Sequence, residues 1–324
     1  MGPQRDGVFW QADLLFLPAD HPAFQSDSYP DRMPPTISLV TPNLNYGRHL
    51  RRTITSVVDQ NYPALDYVVI DGGSTDESVD ILQTCTSPQL RWEYMPGVGQ
   101  FASINHGFAK TDGEIMGWIN SDDILLPWTL QTVGDIFTAF PEIDWIMGAP
   151  SVIQGDAIHE VAAARPFAQS ALGLGLYGGG RWGIVQQESC FWRRRLWEKA
   201  GPLREDLRFA ADFELWIRFA RNVELATCTA VLGGFTIHGS NRSRVNGQRY
   251  TDEIAGVVAS LPAEERNERE RLDHWHARYE RNRWLPGLKR LVRHVGRLAS
   301  LDGPVIRRDV VGNCYVLARE AVCP

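Results

Sequence analysis

Short apolar segments alternate with amphipathic segments between residues 37 and 120, and this alternation constrains the fold more than any other feature. Apolar runs that end in polar residues predict strands at ISLVTPNLN, DYVVID, RWEYM and EIMGWIN. Between them, GRHLRRTITSVVDQ, ESVDILQTC and GQFASINHGFAK predict helices, the first with a clear apolar face. Strands that alternate with helices at such short intervals predict a doubly wound α/β fold, with a mainly parallel sheet and helices on both faces.

Polar residues follow these predicted strands at the points where the strands leave the core. They are Asn43, Asn45, Asp71, Asp76, Asp122 and Asp123. In doubly wound sheets the carboxyl ends of the strands form one edge, and ligands bind at that edge. Acids outnumber Lys and Arg there, which suits a metal ion and neutral hydroxyl groups. A phosphate ligand would need the metal as a bridge.

The segment GWINSDDILLP places two adjacent carboxylates, Asp122 and Asp123, directly after a buried strand. Two neighbouring anions repel each other unless water, backbone donors or a cation offsets the repulsion, and a divalent metal does so most strongly. A solvated turn that leads into a helix is the structural alternative. Their place on the ligand-binding edge favours the cation.

A second candidate acid lies in FAADFELWIRFA, which predicts a helix with Phe213, Trp216, Ile217 and Ala220 on its apolar face. Asp212 stands in the first turn of this helix, where the helix dipole stabilises a carboxylate. Spacing alone therefore leaves two interpretations open: Asp212 only caps the helix, or it acts in a catalytic or binding site.

Composition and charge exclude several classes of protein. With 44% hydrophobic and 22% charged residues, the chain is typical of a globular protein, and its formal net charge of −6 argues against a generic nucleic-acid partner. The five cysteines are scattered and include no CxxC pair, which favours a reducing cytoplasm. No apolar run is long enough to cross a bilayer, and the amino terminus lacks a signal pattern. We expect a cytoplasmic protein, with a peripheral position at the inner face of the membrane as an open alternative.

Three regions can be distinguished along the chain. Residues 1–35 predict an N-terminal extension, residues 36–245 the α/β domain, and residues 246–324 a C-terminal helical region divided at Pro286. The helix predicted after Pro286 has an apolar stripe with three arginines displaced from it; the stripe is formed by Trp284, Leu288, Leu291, Val295 and Leu298. Such a helix either lies on an anionic membrane, where a lipid-linked acceptor would be found, or packs on the α/β domain.

Four motifs together resemble the family 2 glycosyltransferases, which are inverting enzymes with the GT-A fold. They are TPNLNYGRHLRRTITSVVDQNYPALDYVVIDGGSTDES, GWINSDDILLP, ADFELWIRFA and GFTIHGSNRS, in family order, and the likeness covers roughly residues 36–245. The resemblance implies a GT-A catalytic domain that uses a nucleotide-sugar donor, most simply a UDP-sugar. It also implies a hydroxyl acceptor on a polysaccharide or a lipid-linked glycan.

The resemblance also implies roles for individual residues. The loop after the first strand and the acid that ends the second strand would hold the base and ribose, with Asp71 accepting from a uracil N–H. The family's DxD element coincides with Asn120 to Asp123, whose last acids would bind the diphosphate through Mn²⁺ or Mg²⁺. Asp212 would be the catalytic base. The implied nucleotide-sugar contacts are Thr41, Pro42, Asn45, Asp71, Asn105, Asn120, Ser121 and Asp122, and the implied metal ligands are Asp122, Asp123 and His238.

The chain departs from the family pattern at two positions. Asn120 replaces the first acid of the usual DxDD, so it can bond a ribose hydroxyl but brings no charge. Ala102 stands where many relatives have an acid, which removes one polar contact. A structural role for His238 also stays open. Two other functions compete, a nucleotidyltransferase and a nucleotide-sugar-binding protein that has lost catalysis. The first should carry a basic Gly-rich phosphate loop, which TPNLNYG matches poorly, and the joint presence of Asp122, Asp123 and Asp212 argues against the second.

Overall fold

The computed structural model describes residues 33–241, 246–282 and 301–322, and the described residues from Pro34 onward belong to one compact unit. The first half alternates strand and helix as predicted. Its elements are β1 (Ile37–Asn43), α1 (Gly47–Val58), β2 (Leu65–Asp71), α2 (Ser78–Thr84), β3 (Leu90–Tyr94), α3 (Gln100–Ala109) and β4 (Ile115–Trp118).

The second half is less regular and contains shorter strands. In chain order it consists of β5 (Ile124–Leu125), α4 (Thr129–Ala139), β6 (Trp145–Met147), β7 (Ser151–Gln154), β8 (Ala157–Val161), α5 (Gln169–Gly173), β9 (Cys190–Arg193), α6 (Arg194–Ala200), α7 (Ala211–Ala220), β10 (Ala226–Cys228) and β11 (Gly233–Thr236). The chain then forms α8 (Gly247–Ala259), α9 (Ala263–Asn282), β12 (Asp302–Asp309) and β13 (Cys314–Ala321).

Nine strands form the main sheet, in the order β13-β12-β10-β6-β9-β4-β1-β2-β3. Neighbouring strands run parallel except at β9, which is antiparallel to β4 and β6, and at β13, which is antiparallel to β12. β1 lies between β2 and β4, and the register places Asn43 beside Asp71. The carboxyl ends of the central strands therefore form a common edge, as the alternation predicts.

A smaller sheet, ordered β5-β11-β7-β8, stands next to this edge. β11 pairs antiparallel with β5, the strand that follows the acid pair. The backbone N–H of Thr236 at the end of β11 donates to Asp123 Oδ1 at 2.8 Å. This pairing brings the segment after β11, which contains His238, to the acid pair.

Buried tryptophans fix α7 against the main sheet. Trp216 stacks on Trp118, the last residue of β4, with ring centroids 5.8 Å apart, and on Trp145 of β6 at 5.2 Å. All three side chains are almost fully buried. Asp212 lies four residues before Trp216 and therefore on the same side of α7. The aromatic core thus sets the position of Asp212 relative to the loop that follows β4.

The prediction of a helical C-terminal region is correct for α8 and α9 but wrong for residues 302–321. Those residues form the hairpin of β12 and β13, in which β12 pairs parallel with β10 and extends the main sheet. Val305 and Ile306 of β12 are buried in the core. Residues 302–321 therefore extend the α/β sheet, because β12 supplies hydrogen-bond partners to β10, which would otherwise be an edge strand.

Two further sequence predictions concern residues outside those described. The N-terminal extension over residues 1–35 falls there almost entirely, and the basic helix predicted after Pro286 falls there over residues 286–298. Both remain predictions. Within the described residues, no helix combines the length and the apolar character required to cross a bilayer.

Candidate active site

A cleft of about 820 Å³ opens at the carboxyl edge of β1 and β4. Its wall comes from both halves of the domain: the loop after β1, the start of α3, the acid pair, the segment from Ile184 to Glu188, and the start of α7. Of the predicted site residues, the cleft is lined by Pro42, Asn120, Ser121, Asp122, Asp123 and Asp212. The tertiary structure therefore brings together the acid pair and the late-helix acid, which lie far apart in the chain.

Asp122 and His238 form a close polar pair at this cleft. His238 Nε2 lies 2.9 Å from Asp122 Oδ2, and the other ring nitrogen, Nδ1, lies 3.0 Å from Ser240 Oγ. His49 stacks on the His238 ring with centroids 4.4 Å apart. The imidazole is thus held by a stacking partner on its face and a hydroxyl on its far nitrogen, so Nε2 stays directed at the Asp122 carboxylate.

Asp123, the second predicted acid ligand of the metal, has both carboxylate oxygens bonded by protein donors, and its role as a ligand stays a prediction. Asp123 is only 1% exposed to solvent. Oδ1 accepts from the Thr236 N–H at 2.8 Å, and Oδ2 accepts from Asn120 Nδ2 at 3.3 Å. Burial, together with the nearby Glu188 and Asp122 carboxylates, raises the pKa of Asp123 well above its usual range. Within the described part of the chain, no group of three or more His, Cys, Asp and Glu side chains is arranged to hold a metal ion.

Asp212 lines the cleft at the first turn of α7. Just before this helix, Glu253 of α8 accepts hydrogen bonds from the backbone N–H groups of Arg208, Phe209 and Ala210. The Asp212 carboxylate accepts from the Phe213 N–H at 2.8 Å and has no cationic partner among the described residues. Burial raises the pKa of Asp212 to about 6. At neutral pH this group is therefore a carboxylate that can accept a proton.

Asp71 lies beside the cleft but is not part of its wall, and its contact with a nucleotide base stays a prediction. It is fully buried and is absent from the cleft wall. Oδ1 accepts from the N–H groups of Gly73 and Ser74, and Oδ2 accepts from Asn43 Nδ2 at 2.7 Å and from Ser74 Oγ at 2.7 Å. The carboxylate is saturated by the loop that follows β2, so its function is to organise that loop and to orient Asn43.

Asn43 is a residue that the sequence analysis placed on the right edge but did not assign. It lines the cleft and is 4% exposed, and its Oδ1 has no hydrogen-bond partner. The contact with the Asp71 carboxylate fixes which end of the amide is the nitrogen, because a carboxylate accepts only from the NH₂ group. An unsatisfied buried acceptor is thereby left at the carboxyl end of β1.

Three other residues with predicted nucleotide-sugar contacts form hydrogen bonds within the protein. Thr41 Oγ1 pairs with Tyr67 OH at 2.9 Å inside the sheet, and Asn45, at a left-handed φ of 57°, accepts from the Thr75 N–H at 2.7 Å. Asn105 of α3 bonds the backbone of Leu203 through both ends of its amide. None of the three lines the cleft. Asn120 does, and it links Gln100 to Gln187 across it.

The cleft also contains Glu188, a carboxylate to which the sequence analysis gave no role. It is 6% exposed and lies in a short 3₁₀ turn before β9. Burial raises the pKa of Glu188 to about 7, and the Asp122 and Asp212 carboxylates add to the rise. No local pattern in QQESCFW distinguishes this acid from a surface residue, since its burial arises from distant segments.

A mainly parallel sheet with an acidic cleft at its carboxyl edge, built as described above, is the architecture of the GT-A glycosyltransferases. S. aureus TarS (residues 1–349), solved in complex with UDP-GlcNAc, has this fold with a TM-score of 0.58 and 15% identity, over 82% of this chain and 79% of that one. A mannosyltransferase from Pyrobaculum calidifontis, solved with GDP-Man and Mn²⁺, gives a TM-score of 0.54 and 17% identity, over 83% of each chain.

Sequence comparison also confirms the predicted resemblance to the family 2 glycosyltransferases. Residues 38–149 match the family model described as glycosyl transferase family 2. An uncharacterised glycosyltransferase of Nostoc sp. is 28% identical over 69% of this chain and 72% of its own length. An uncharacterised glycosyltransferase of Mycobacterium tuberculosis is 28% identical over 65% of this chain and 78% of its own.

Proposed function

We propose that the chain is a metal-dependent, inverting glycosyltransferase. It moves a sugar from a nucleoside diphosphate donor, with UDP as the expected nucleotide, to a hydroxyl group of a polysaccharide or a lipid-linked glycan. The observation that carries this proposal is one cleft lined by both Asp122, which bonds His238, and Asp212. Bound UDP-GlcNAc in TarS and bound GDP-Man with Mn²⁺ in the archaeal mannosyltransferase support a nucleotide-sugar donor.

The chemistry of an inverting transfer requires two kinds of help at opposite ends of one sugar carbon. The acceptor hydroxyl loses its proton as it attacks, and the diphosphate gains negative charge as it leaves. Asp212 suits the first task, since a carboxylate with a pKa of about 6 is deprotonated at neutral pH and is more basic than an ordinary aspartate. A well-placed general base contributes about 10²–10⁴-fold to the rate.

Asp122 and His238 suit the second task as the protein ligands of a divalent cation. Asp122 Oδ2 and His238 Nε2 are both typical ligand atoms, and they lie 2.9 Å apart. These two residues would hold the cation, which would supply positive charge to the leaving diphosphate. Asp123 supports this pair from behind by holding Asn120 and the end of β11.

The nucleotide base is assigned to the end of β1. Asn43 Oδ1 is an acceptor without a partner, and a ring N–H of uracil would satisfy it. Asp71 keeps the amide in that orientation through the 2.7 Å bond from Asn43 Nδ2. A polysaccharide or lipid-linked acceptor, and contact with the inner face of a membrane through the helix after Pro286, remain predictions of the sequence.

Calorimetric titration of UDP, with and without Mn²⁺, tests the metal assignment. In the unmodified protein Mn²⁺ should raise the affinity for UDP, and Asp122→Asn should abolish that increase. Even outer-shell partners are worth about 10–100-fold in metal affinity, so loss of a ligand should cost at least about tenfold. Asp59→Asn is a matched control, because Asp59 is exposed at the end of α1 and does not line the cleft. An equal effect of Mn²⁺ in Asp122→Asn and Asp59→Asn would overturn the assignment.

A further inference from the structure

We infer that Glu188 binds a hydroxyl group of the transferred sugar and makes the cleft selective for neutral sugars over sugars that carry a carboxylate. This inference rests on the proposed function, since it names the part of the donor that one remaining cleft acid recognises. The roles of cation ligand and general base are already assigned to Asp122, His238 and Asp212. Glu188 is a further acid of the same cleft with no role in either task.

The turn that carries Glu188 is tied to the end of β4, beside the acid pair. Gln187 Nε2 donates to the carbonyl oxygen of Trp118 at 2.6 Å, and Gln187 Oε1 accepts from Asn120 Nδ2 at 3.2 Å. Ser189 Oγ donates to the carbonyl oxygen of Gly233 at 3.0 Å on the other side. Residues on both sides of Glu188 are therefore anchored to different strands.

Close packing of β11 prevents the turn from moving backward. A Cβ atom at Gly233 would lie 2.0 Å from the backbone oxygen of Glu188, so only glycine allows this approach of two backbones. With β11 behind the turn and the cleft on its other side, the position of Glu188 is rigid. A rigid carboxylate is suited to selecting a ligand, because it does not have to be ordered on binding.

The Glu188 carboxylate has spare capacity as an acceptor. Among the described residues, Gln186 is the side chain that donates to it, from Nε2 to Oε1 at 2.6 Å. Gln186 is itself held by the backbone of Ser151 through both ends of its amide. No cation pairs with Glu188 among the described residues. A buried carboxylate can accept about four hydrogen bonds and is costly to leave unsatisfied, and sugar hydroxyl groups are suitable donors.

Glu188 shares the cleft with the two residues assigned to the reacting groups. Glu188, Asp122 and Asp212 all line it. In a single displacement the sugar carbon lies between the leaving diphosphate, which is assigned to Asp122, and the attacking hydroxyl, which is assigned to Asp212. Glu188 is the further buried carboxylate of that cleft and is the one left to bind the sugar between them.

The charge of the cleft defines the class of sugar. Its described wall contains one basic residue, Arg208, and five acids: Asp122, Asp123, Glu160, Glu188 and Asp212. A sugar carboxylate next to Glu188 would add a further anion to this group, and like charges in a partly desolvated site repel strongly. A neutral sugar offers hydroxyl donors without that repulsion. The cleft therefore favours hexoses or N-acetylhexosamines over uronic acids.

Comparison of nucleotide with nucleotide-sugar binding tests this inference. Calorimetry with Mn²⁺ would measure the affinities for UDP, UDP-glucose, UDP-GlcNAc and UDP-glucuronate, and for GDP and GDP-mannose. The unmodified protein should bind at least one nucleotide that carries a neutral sugar more tightly than the same nucleotide without a sugar. It should not bind UDP-glucuronate more tightly than UDP. Glu188→Gln should keep UDP affinity and reduce the contribution of the neutral sugar by about tenfold or more, the usual value of a hydrogen bond to a charged group. Glu188→Gln should also reduce the difference in affinity between UDP-glucose and UDP-glucuronate.

Glu198→Gln is the matched control, because Glu198 is exposed on α6 and does not line the cleft. It should leave the affinity for each nucleotide sugar unchanged. Equal loss of UDP and UDP-sugar affinity in Glu188→Gln would show a structural role and overturn the inference, as would a neutral sugar that adds no affinity in the unmodified protein. Failure of the unmodified protein to bind any nucleotide would instead contradict the proposed function.

Discussion

Replacement of Asp212 by Asn separates catalysis from binding and from folding. The amide keeps the size of the side chain and an oxygen that can accept from the Phe213 N–H, but it cannot take a proton at neutral pH. Turnover should therefore fall by about two to four orders of magnitude. Nucleotide affinity with Mn²⁺ should stay within a few-fold of the unmodified value, because the proposed function assigns Asp212 to the acceptor and assigns the cation to Asp122 and His238.

The same substitution should stabilise the protein, and the pKa of Asp212 gives the size of the effect. Its value rises from 3.8 to about 6 on folding, so the folded protein binds more protons than the unfolded chain between about pH 4 and pH 6. The free energy of unfolding therefore decreases as the pH rises through this window. Two pKa units correspond to about 3 kcal/mol, and partial exposure of Asp212 to solvent in the cleft reduces the expected gain to about 1–3 kcal/mol.

Two measurements check this prediction. Release of nucleoside diphosphate from a nucleotide sugar reports turnover, and kcat/KM of the unmodified enzyme should decrease about tenfold per pH unit below about pH 6, where Asp212 becomes protonated. In urea, Asp212→Asn should have a larger free energy of unfolding than the unmodified protein at pH 8 and an equal one at pH 4. Near-normal turnover in Asp212→Asn would refute the role of base. Glu188 would then be the next carboxylate to test, whereas Glu214 is paired with Arg218 at 2.8 Å.

Two other substitutions test the scaffold of the site. Asp71→Asn should weaken UDP binding and lower the free energy of unfolding by about 1–3 kcal/mol, because an amide cannot satisfy all four donors that now surround the carboxylate. Calorimetry measures the UDP affinity and urea unfolding measures the stability. An unchanged free energy of unfolding would contradict the buried network. Gly233→Ala should cost about 1–3 kcal/mol or more in urea unfolding, since the new methyl group would overlap the Glu188 carbonyl. A stability equal to that of the unmodified protein would show that β11 is not pressed against the turn.

The sequence by itself determined the α/β class and the edge at which the site lies. Hydrophobic periodicity is a local property, and it marked β1, β2, β3 and β4 together with the helices between them. The carboxyl ends of parallel strands must share one edge, so the position of the acid pair at that edge follows from the order of strands and helices alone. The family resemblance added Asp212, and the fold indeed brings it into the same cleft as Asp122.

The tertiary structure decided which of these residues face the cleft. Asp71 and Asp123 end or follow strands as predicted. Asp71 is bonded by the loop directly after it and by Asn43 of the neighbouring strand, Asp123 is bonded by Thr236 of a distant strand, and Asn43 keeps an unsatisfied acceptor. His238 meets Asp122 only because β11 pairs with β5.

The hairpin of β12 and β13 joins the sheet for the same reason, through pairing of β12 with β10 far along the chain. Periodicity fixes the local conformation of a segment, but the direction of a strand-end side chain and the partner of a strand depend on hydrogen bonds between residues that are remote in sequence.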